Sequence, residues 1–188
     1  MLLKSFGKQS LVYGVGHILA RLVTFFLLPF YTNIFSTEEY GIISLAYAFI
    51  GFGNIIFHYG MDTALMKFYI TEENEDKVGV FSSIWIVQLI TSIVFTVFII
   101  LSAPVLTKFI LGKMASLYIL KLIAIILAID VIWKIPILLL RAENRPLKFV
   151  FYNLINVMAT IYFNYYFIIK IDMGIMGVFL GNITASIL

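Results

Sequence analysis

Apolar residues come in long runs, each ended by a short cluster of charges, Gly or Pro. An α-helix rises 1.5 Å per residue, so about 20 mostly apolar residues cross a hydrocarbon core ~30 Å thick. Five stretches meet that length: Leu11 to Ile34, Gly41 to Met66, Val80 to Ala103, Leu117 to Leu140, and Phe149 to Ile169. A sixth starts near Gly174 and is still apolar at Leu188, too short to span alone, as expected for the front part of a longer protein. No linker or low-complexity segment divides the six, so the pattern predicts a single domain over 1–188. The fold class it predicts is an all-α polytopic membrane protein whose sixth helix is incomplete. The first run is longer than a signal-peptide core, contains His17 and Arg21, and has no small-x-small site after it, so it reads as a retained helix.

Composition points the same way. Hydrophobic residues make up 62% of the 188 and charged residues 12%, too few charges to cover a globular surface in water. A soluble enzyme, a disordered chain and a nucleic-acid binder are excluded; the net charge of +3 comes from basic residues in short loops rather than on one face. Cysteine is absent, which removes disulfides and thiolate metal sites. Basic residues also orient the chain. With the N-terminus inside, Lys4, Lys8, Lys67, Lys77, Arg141, Arg145 and Lys148 lie on the inner side, against Lys108, Lys113 and Lys170 outside. A cytoplasmic N-terminus follows from that excess.

Most of the runs carry a polar or small stripe at helical spacing. The first has Ser10, Gly14, His17, Arg21 and Thr24; the second Ser44, Tyr47, Gly51, Asn54, His58 and Asp62. The third has Trp85, Gln88, Ser92 and Thr96, the fifth Asn153, Asn156, Thr160 and Asn164, and the sixth Gly174, Gly177, Gly181 and Thr184. Two readings stay open. Small and polar residues glue helices together in lipid, or the stripes line a wet cavity. Charges inside the spans sharpen the question, because each costs roughly 2.5–3.5 kcal/mol at the helix centre on insertion scales. Arg21 and Asp130 fall near mid-membrane, and Lys134 is one helical turn from Asp130, where it can pair locally. A charged cluster on the inner half is therefore expected from His17, Arg21, His58, Asp62, Asp130 and Lys134. Its bland counterparts are an internal ion pair that fixes packing, hydrogen-bonded packing histidines, and an interfacial Asp62. Lys121, near the outer end, snorkels. Pro29 and Pro136 should kink or loosen their helices.

Catalytic motifs are missing: there is no Gly-x-Ser-x-Gly elbow, no P-loop and no His-Glu-x-x-His. With two histidines and no cysteine, neither a metal nor another cofactor is expected. His58 and Asp62 differ by one residue from the spacing of membrane acyltransferase His-Asp pairs. An enzyme is the weaker class, and a membrane-embedded transferase would need larger loops than these.

Several stretches resemble a known family. Arg21 with Leu27-Leu28-Pro29-Phe30-Tyr31-Thr32-Asn33 and Ser36-Thr37-Glu38-Glu39-Tyr40-Gly41 resembles the opening of Wzx-type polysaccharide (O-antigen, capsule, exopolysaccharide) exporters of the MOP, or MATE-like, flippase superfamily. Gly60-Met61-Asp62-Thr63-Ala64-Leu65-Met66-Lys67-Phe68-Tyr69 is similar to the end of their second helix. Leu140-Arg141-Ala142-Glu143-Asn144 resembles the loop after their fourth, and Gly174-Ile175-Met176-Gly177-Val178 the start of their sixth. The resemblance implies the N-terminal six-helix bundle of a multi-pass protein of the bacterial inner membrane. Such a protein flips undecaprenyl-pyrophosphate-linked oligosaccharide by alternating access, for lipopolysaccharide or related polysaccharide biosynthesis. Its implied partners are the lipid-linked oligosaccharide, the bilayer, a glycan polymerase and glycosyltransferases. Arg21 is the position that matches the family's cationic first helix, and Asp62 and Lys67 fall in its second-helix motif; the chain departs from the family in lacking a second half. Asp130 and Lys134 rest on membrane burial alone. The expected substrate-binding set is His17, Arg21, Asn54, Lys134 and Asn156, and the expected ion-coupling set His58, Asp62 and Asp130. A multidrug or cation exporter and a peptidoglycan-precursor flippase of the same superfamily are the alternatives.

Overall fold

The computed structural model describes residues 25, 27–71, 76–112 and 116–188. Residues 27–34 form helix α1. Helix α2 (Thr37–His58) starts at a capping box: Ser36 Oγ accepts from the Glu39 amide while the Glu39 carboxylate accepts from the Ser36 amide at 2.9 Å. The second apolar run is not one helix. It breaks where Tyr59 (φ 31°) and Gly60 (φ 86°) both adopt left-handed backbone, and resumes as α3 (Met61–Ile70). Gly60 accepts that conformation without a Cβ penalty.

Helix α4 (Lys77–Leu106) continues into a wider π turn at Thr107–Leu111. Helix α5 (Leu117–Ala142) runs through Pro136 without interruption. Proline has no N–H, so the Ile132 carbonyl one turn back loses its helical donor. Trp85 of α4 supplies one, its indole Nε1 donating to that oxygen at 3.3 Å. Helix α6 (Pro146–Tyr165) opens on Pro at its first turn and closes with a π turn at Tyr166–Lys170; α7 (Ile175–Ile187) follows.

Helix α5 is the hub, packing on α2, α3, α4, α6 and α7. Leu120, Ile123, Ala124, Leu127 and Val131 are fully buried at the centre of the core. Helix α4 covers one side of the hub and turns Ile86, Ile90, Ile93, Val97, Leu101 and Val105 outward at spacings of three and four, a lipid-facing stripe. Helices α6 and α7 approach closely: a Cβ on Gly181 would stand 3.0 Å from the Asn164 amide nitrogen, and one on Gly177 3.1 Å from the Phe167 carbonyl carbon. This is small-residue packing of the kind lipid favours.

At the end of the bundle that carries the α5–α6 turn, Tyr69 Oη donates to the Glu143 carboxylate at 3.2 Å, and Glu143 pairs with Arg145 at 3.1 Å. Partial burial and that bond hold the Tyr69 phenol above its ordinary pKa. No strand occurs among the described residues. Thr37–His58, Lys77–Leu111 and Leu117–Ala142 are long and apolar enough to cross a membrane. Helix α6 falls short on apolarity, with Asn153, Asn156 and Asn164 among its residues, and α7 is a shorter apolar helix. The chain is an all-α polytopic membrane protein.

Candidate functional site

Helix α2 packs on α5 and α4, and α6 on α7 and α5. The polar stripes of α2 and α6 thus come to stand on opposite sides of a cleft whose floor is α5 and α7. Two cavities occupy it, and Asn156 lines both.

The first, about 470 Å³, is the charged one. From α2 come Asn54 and His58, from the start of α3 Asp62, from α5 Asp130, Lys134 and Arg141, from α6 Asn153 and Asn156, and from α7 Ser186. The break in α2 shapes this wall. His58 sits in the last turn of α2 and Asp62 in the first turn of α3, so the two groups meet the helix ends whose dipoles favour them. Asp62 Oδ1 accepts from the Thr63 amide at 2.9 Å. His58 is buried, and its Nδ1 has no hydrogen-bond partner among the described residues. Asp130 accepts from Ser186 Oγ at 3.1 Å. Local pairing between Asp130 and Lys134 was expected from their spacing. Among the described residues, no ion pair within 4 Å joins them; Lys134 is exposed.

The second cavity, about 580 Å³, lies further along α2, where α1 joins the wall. Tyr31, Tyr40, Ser44, Tyr47, Thr160 and Asn182 line it together with Asn156 and apolar residues. Its walls are braced: Tyr31 Oη donates to Asn164 Oδ1 at 2.7 Å, and Asn182 Nδ2 donates to Tyr47 Oη at 3.2 Å.

The structure therefore brings Asn54, His58, Asp62, Asp130, Lys134 and Asn156 to one cavity. His17 and Arg21 lie outside the described residues. The stripes divide between the two readings left open by the sequence. Those of α2 and α6 line the cleft. That of α4 does not: Gln88 Nε2 donates to the Phe57 carbonyl at 2.7 Å, beside the α2 break, and Trp85 and Thr96 reach carbonyls of α5. The Gln88 and Trp85 bonds satisfy backbone groups that the break and the proline would leave bare. The α7 glycines pack on α6, and Thr184 bonds its own helix at Leu180.

Sequence reasoning missed Ser186 and Arg141. Asp130, Lys134 and Arg141 follow a spacing of four and seven, one face of α5, and Asn182 and Ser186 are one turn apart on α7. Both signals were present in the sequence.

The cleft offers fixed charges of both signs and many neutral hydrogen-bonding groups within a bundle of membrane helices. Among the described residues, no cluster of His, Asp and Glu suited to a metal ion occurs. Neither the curated proteins nor the solved structures include a match to this chain. The profile of a family described as polysaccharide biosynthesis protein matches residues 18–187, nearly the whole sequence, and the chain belongs to that family.

Proposed function

We propose that the protein is a transporter, not an enzyme, and that it moves lipid-linked oligosaccharide across the bacterial inner membrane by alternating access. The undecaprenyl-pyrophosphate carrier implied by the family resemblance is the proposed lipid. One observation carries the reading: Lys134 and Arg141 share a cavity among membrane helices with Asp130, Asp62, His58 and the amides Asn54, Asn153 and Asn156. A pyrophosphate and a sugar chain both need partners that replace water, and ionised groups at such depth mark translocation pathways. Lysine and arginine beside the carboxylates count against an extruder of organic cations. In the proposed topology the N-terminus is cytoplasmic and the α5–α6 turn faces inward, so the charged cavity opens toward the side where the carrier is loaded. Asp62, Asp130 and His58 are the candidates for coupling the cycle to protons or sodium. Glycosyltransferases and a polymerase are the proposed neighbours in the pathway.

The test is surface glycan measured against membrane abundance in cells expressing Lys134→Gln or Arg21→Gln. Loss of a charge-assisted contact, about 1.5–3 kcal/mol, predicts a drop in export of about tenfold or more at unchanged abundance. Unchanged export in both variants would refute these residues as substrate contacts, and export falling only in proportion to abundance would assign them to packing.

A further inference from the structure

The two cavities differ in kind. The charged one holds His58, Asp62, Asp130, Lys134 and Arg141, whereas the described residues lining the other include no Asp, Glu, Lys, Arg or His. It is instead walled by Tyr31, Tyr40 and Tyr47 with Ser44, Asn156 and Asn182. Much of its hydrogen-bonding capacity is unspent. The hydroxyls of Ser44 and Tyr40 have no side-chain partner among the described residues. Asn156 and Asn182 each donate an amide N–H to a neighbour, Asn156 to the Ala185 carbonyl at 3.1 Å and Asn182 to Tyr47, and each keeps a carbonyl oxygen to accept with.

Resting on the transport reading above, we infer that this neutral cavity is the subsite for the glycan, and that the charged cavity takes the phosphates. A sugar ring presents apolar C–H faces and a rim of hydroxyls that both donate and accept. Tyrosine rings match the first, and amides and hydroxyls the second. Among the described residues no counter-charge for an ionised phosphate lines this cavity, and an isoprenoid chain would leave the amides and hydroxyls unpaired, a costly burial. Tyr47 of the neutral cavity and Asn54 of the charged one are seven residues apart on α2, about 10 Å along the helix, and Asn156 of α6 touches both cavities, so the two subsites adjoin. With phosphate in the charged cavity, the first sugar stands at the boundary between the two and later sugars extend into the neutral one. A carrier with several sugars fills both, which makes the neutral cavity a reader of glycan length and composition.

Full-length protein reconstituted in vesicles tests this with two probes, a polyprenyl-pyrophosphoryl monosaccharide and a polyprenyl-pyrophosphoryl oligosaccharide, flipping being read by glycosidase access from outside. Ser44→Trp, which fills the neutral cavity, is expected to slow the oligosaccharide probe tenfold and leave the monosaccharide probe within twofold. Lys134→Gln is expected to slow both. The near-isosteric Ser44→Ala/Tyr40→Phe double variant guards against misfolding by the larger substitution, and should show the same selectivity at smaller amplitude. Equal slowing of both probes by the Ser44 variants, or slowing of neither, overturns the glycan subsite. Failure of the unmodified protein to move either probe overturns the transport reading itself.

Discussion

Trp85 offers the sharpest test of how the bundle tolerates a proline in its central helix. The Trp85 indole is the donor to the Ile132 carbonyl, which Pro136 deprives of its helical N–H. Trp85→Phe keeps an aromatic ring stacked near Phe81, now at 6.5 Å and 11°, but removes the donor. The lost bond is worth about 0.5–1.5 kcal/mol, near 0.6 if it matches the average found between membrane helices. In a Pro136→Ala background the N–H of residue 136 returns to the Ile132 carbonyl, so the same Trp85→Phe change costs only ring packing. A double-mutant cycle is therefore expected to give a coupling of roughly 0.6–1.5 kcal/mol, Trp85→Phe being the more harmful with proline present. Denaturation in mixed micelles followed by circular dichroism measures all four variants without relying on tryptophan emission. An equal cost of Trp85→Phe in both backgrounds would refute the reasoning.

Two further outcomes follow from local geometry. Gly181→Ala places a methyl 3.0 Å from the Asn164 backbone nitrogen, which cannot rotate away, and should cost roughly 1–3 kcal/mol by parting α6 from α7. Gly53→Ala meets only the Leu127 side chain and should cost less in the same micelle assay; the reverse order would contradict the close α6–α7 approach. The Tyr69–Glu143 bond requires a protonated phenol whose pKa is raised by burial and by that bond, so its contribution is complete below the unfolded tyrosine value of about 10 and is lost as pH climbs through the higher folded value. Tyr69→Phe should therefore be less stable than the unmodified protein by up to about 1 kcal/mol at pH 8, with the gap closing at strongly alkaline pH. A gap that persists there would assign the effect to packing.

Long apolar runs mark α2, α4 and α5 in the sequence because crossing lipid demands them, and polar residues repeating at helical spacing, as Ser44, Tyr47, Asn54 and His58 do, mark the cleft walls. The break in α2 was hidden. Tyr59-Gly60 lies in the middle of an otherwise continuous pattern, and a single glycine inside a span is ordinary; the left-handed turn at both residues is set by tertiary contacts such as Gln88 on the Phe57 carbonyl. Gln88 and Trp85 show the converse limit. Polarity marks a residue as engaged, yet nothing in its spacing says whether it faces a cavity or a bare carbonyl on the next helix. Ser186 and Arg141 were overlooked for a different reason: Arg141 counted as a loop charge in the orientation argument, and the glycines of α7 drew attention to its other face.

The central claim is that the cleft between α2 and α6 is wet while the outer face of α4 is in lipid. These 188 residues contain no cysteine, so a single substitution adds the one thiol within them. Ser44→Cys, Asn54→Cys and Asn153→Cys on the cleft, and Ile90→Cys and Val97→Cys on the α4 stripe, should be exposed to a charged maleimide in native membranes. The account predicts modification of the cleft positions and protection of the α4 positions. Cleft cysteines as unreactive as those on α4 would contradict it.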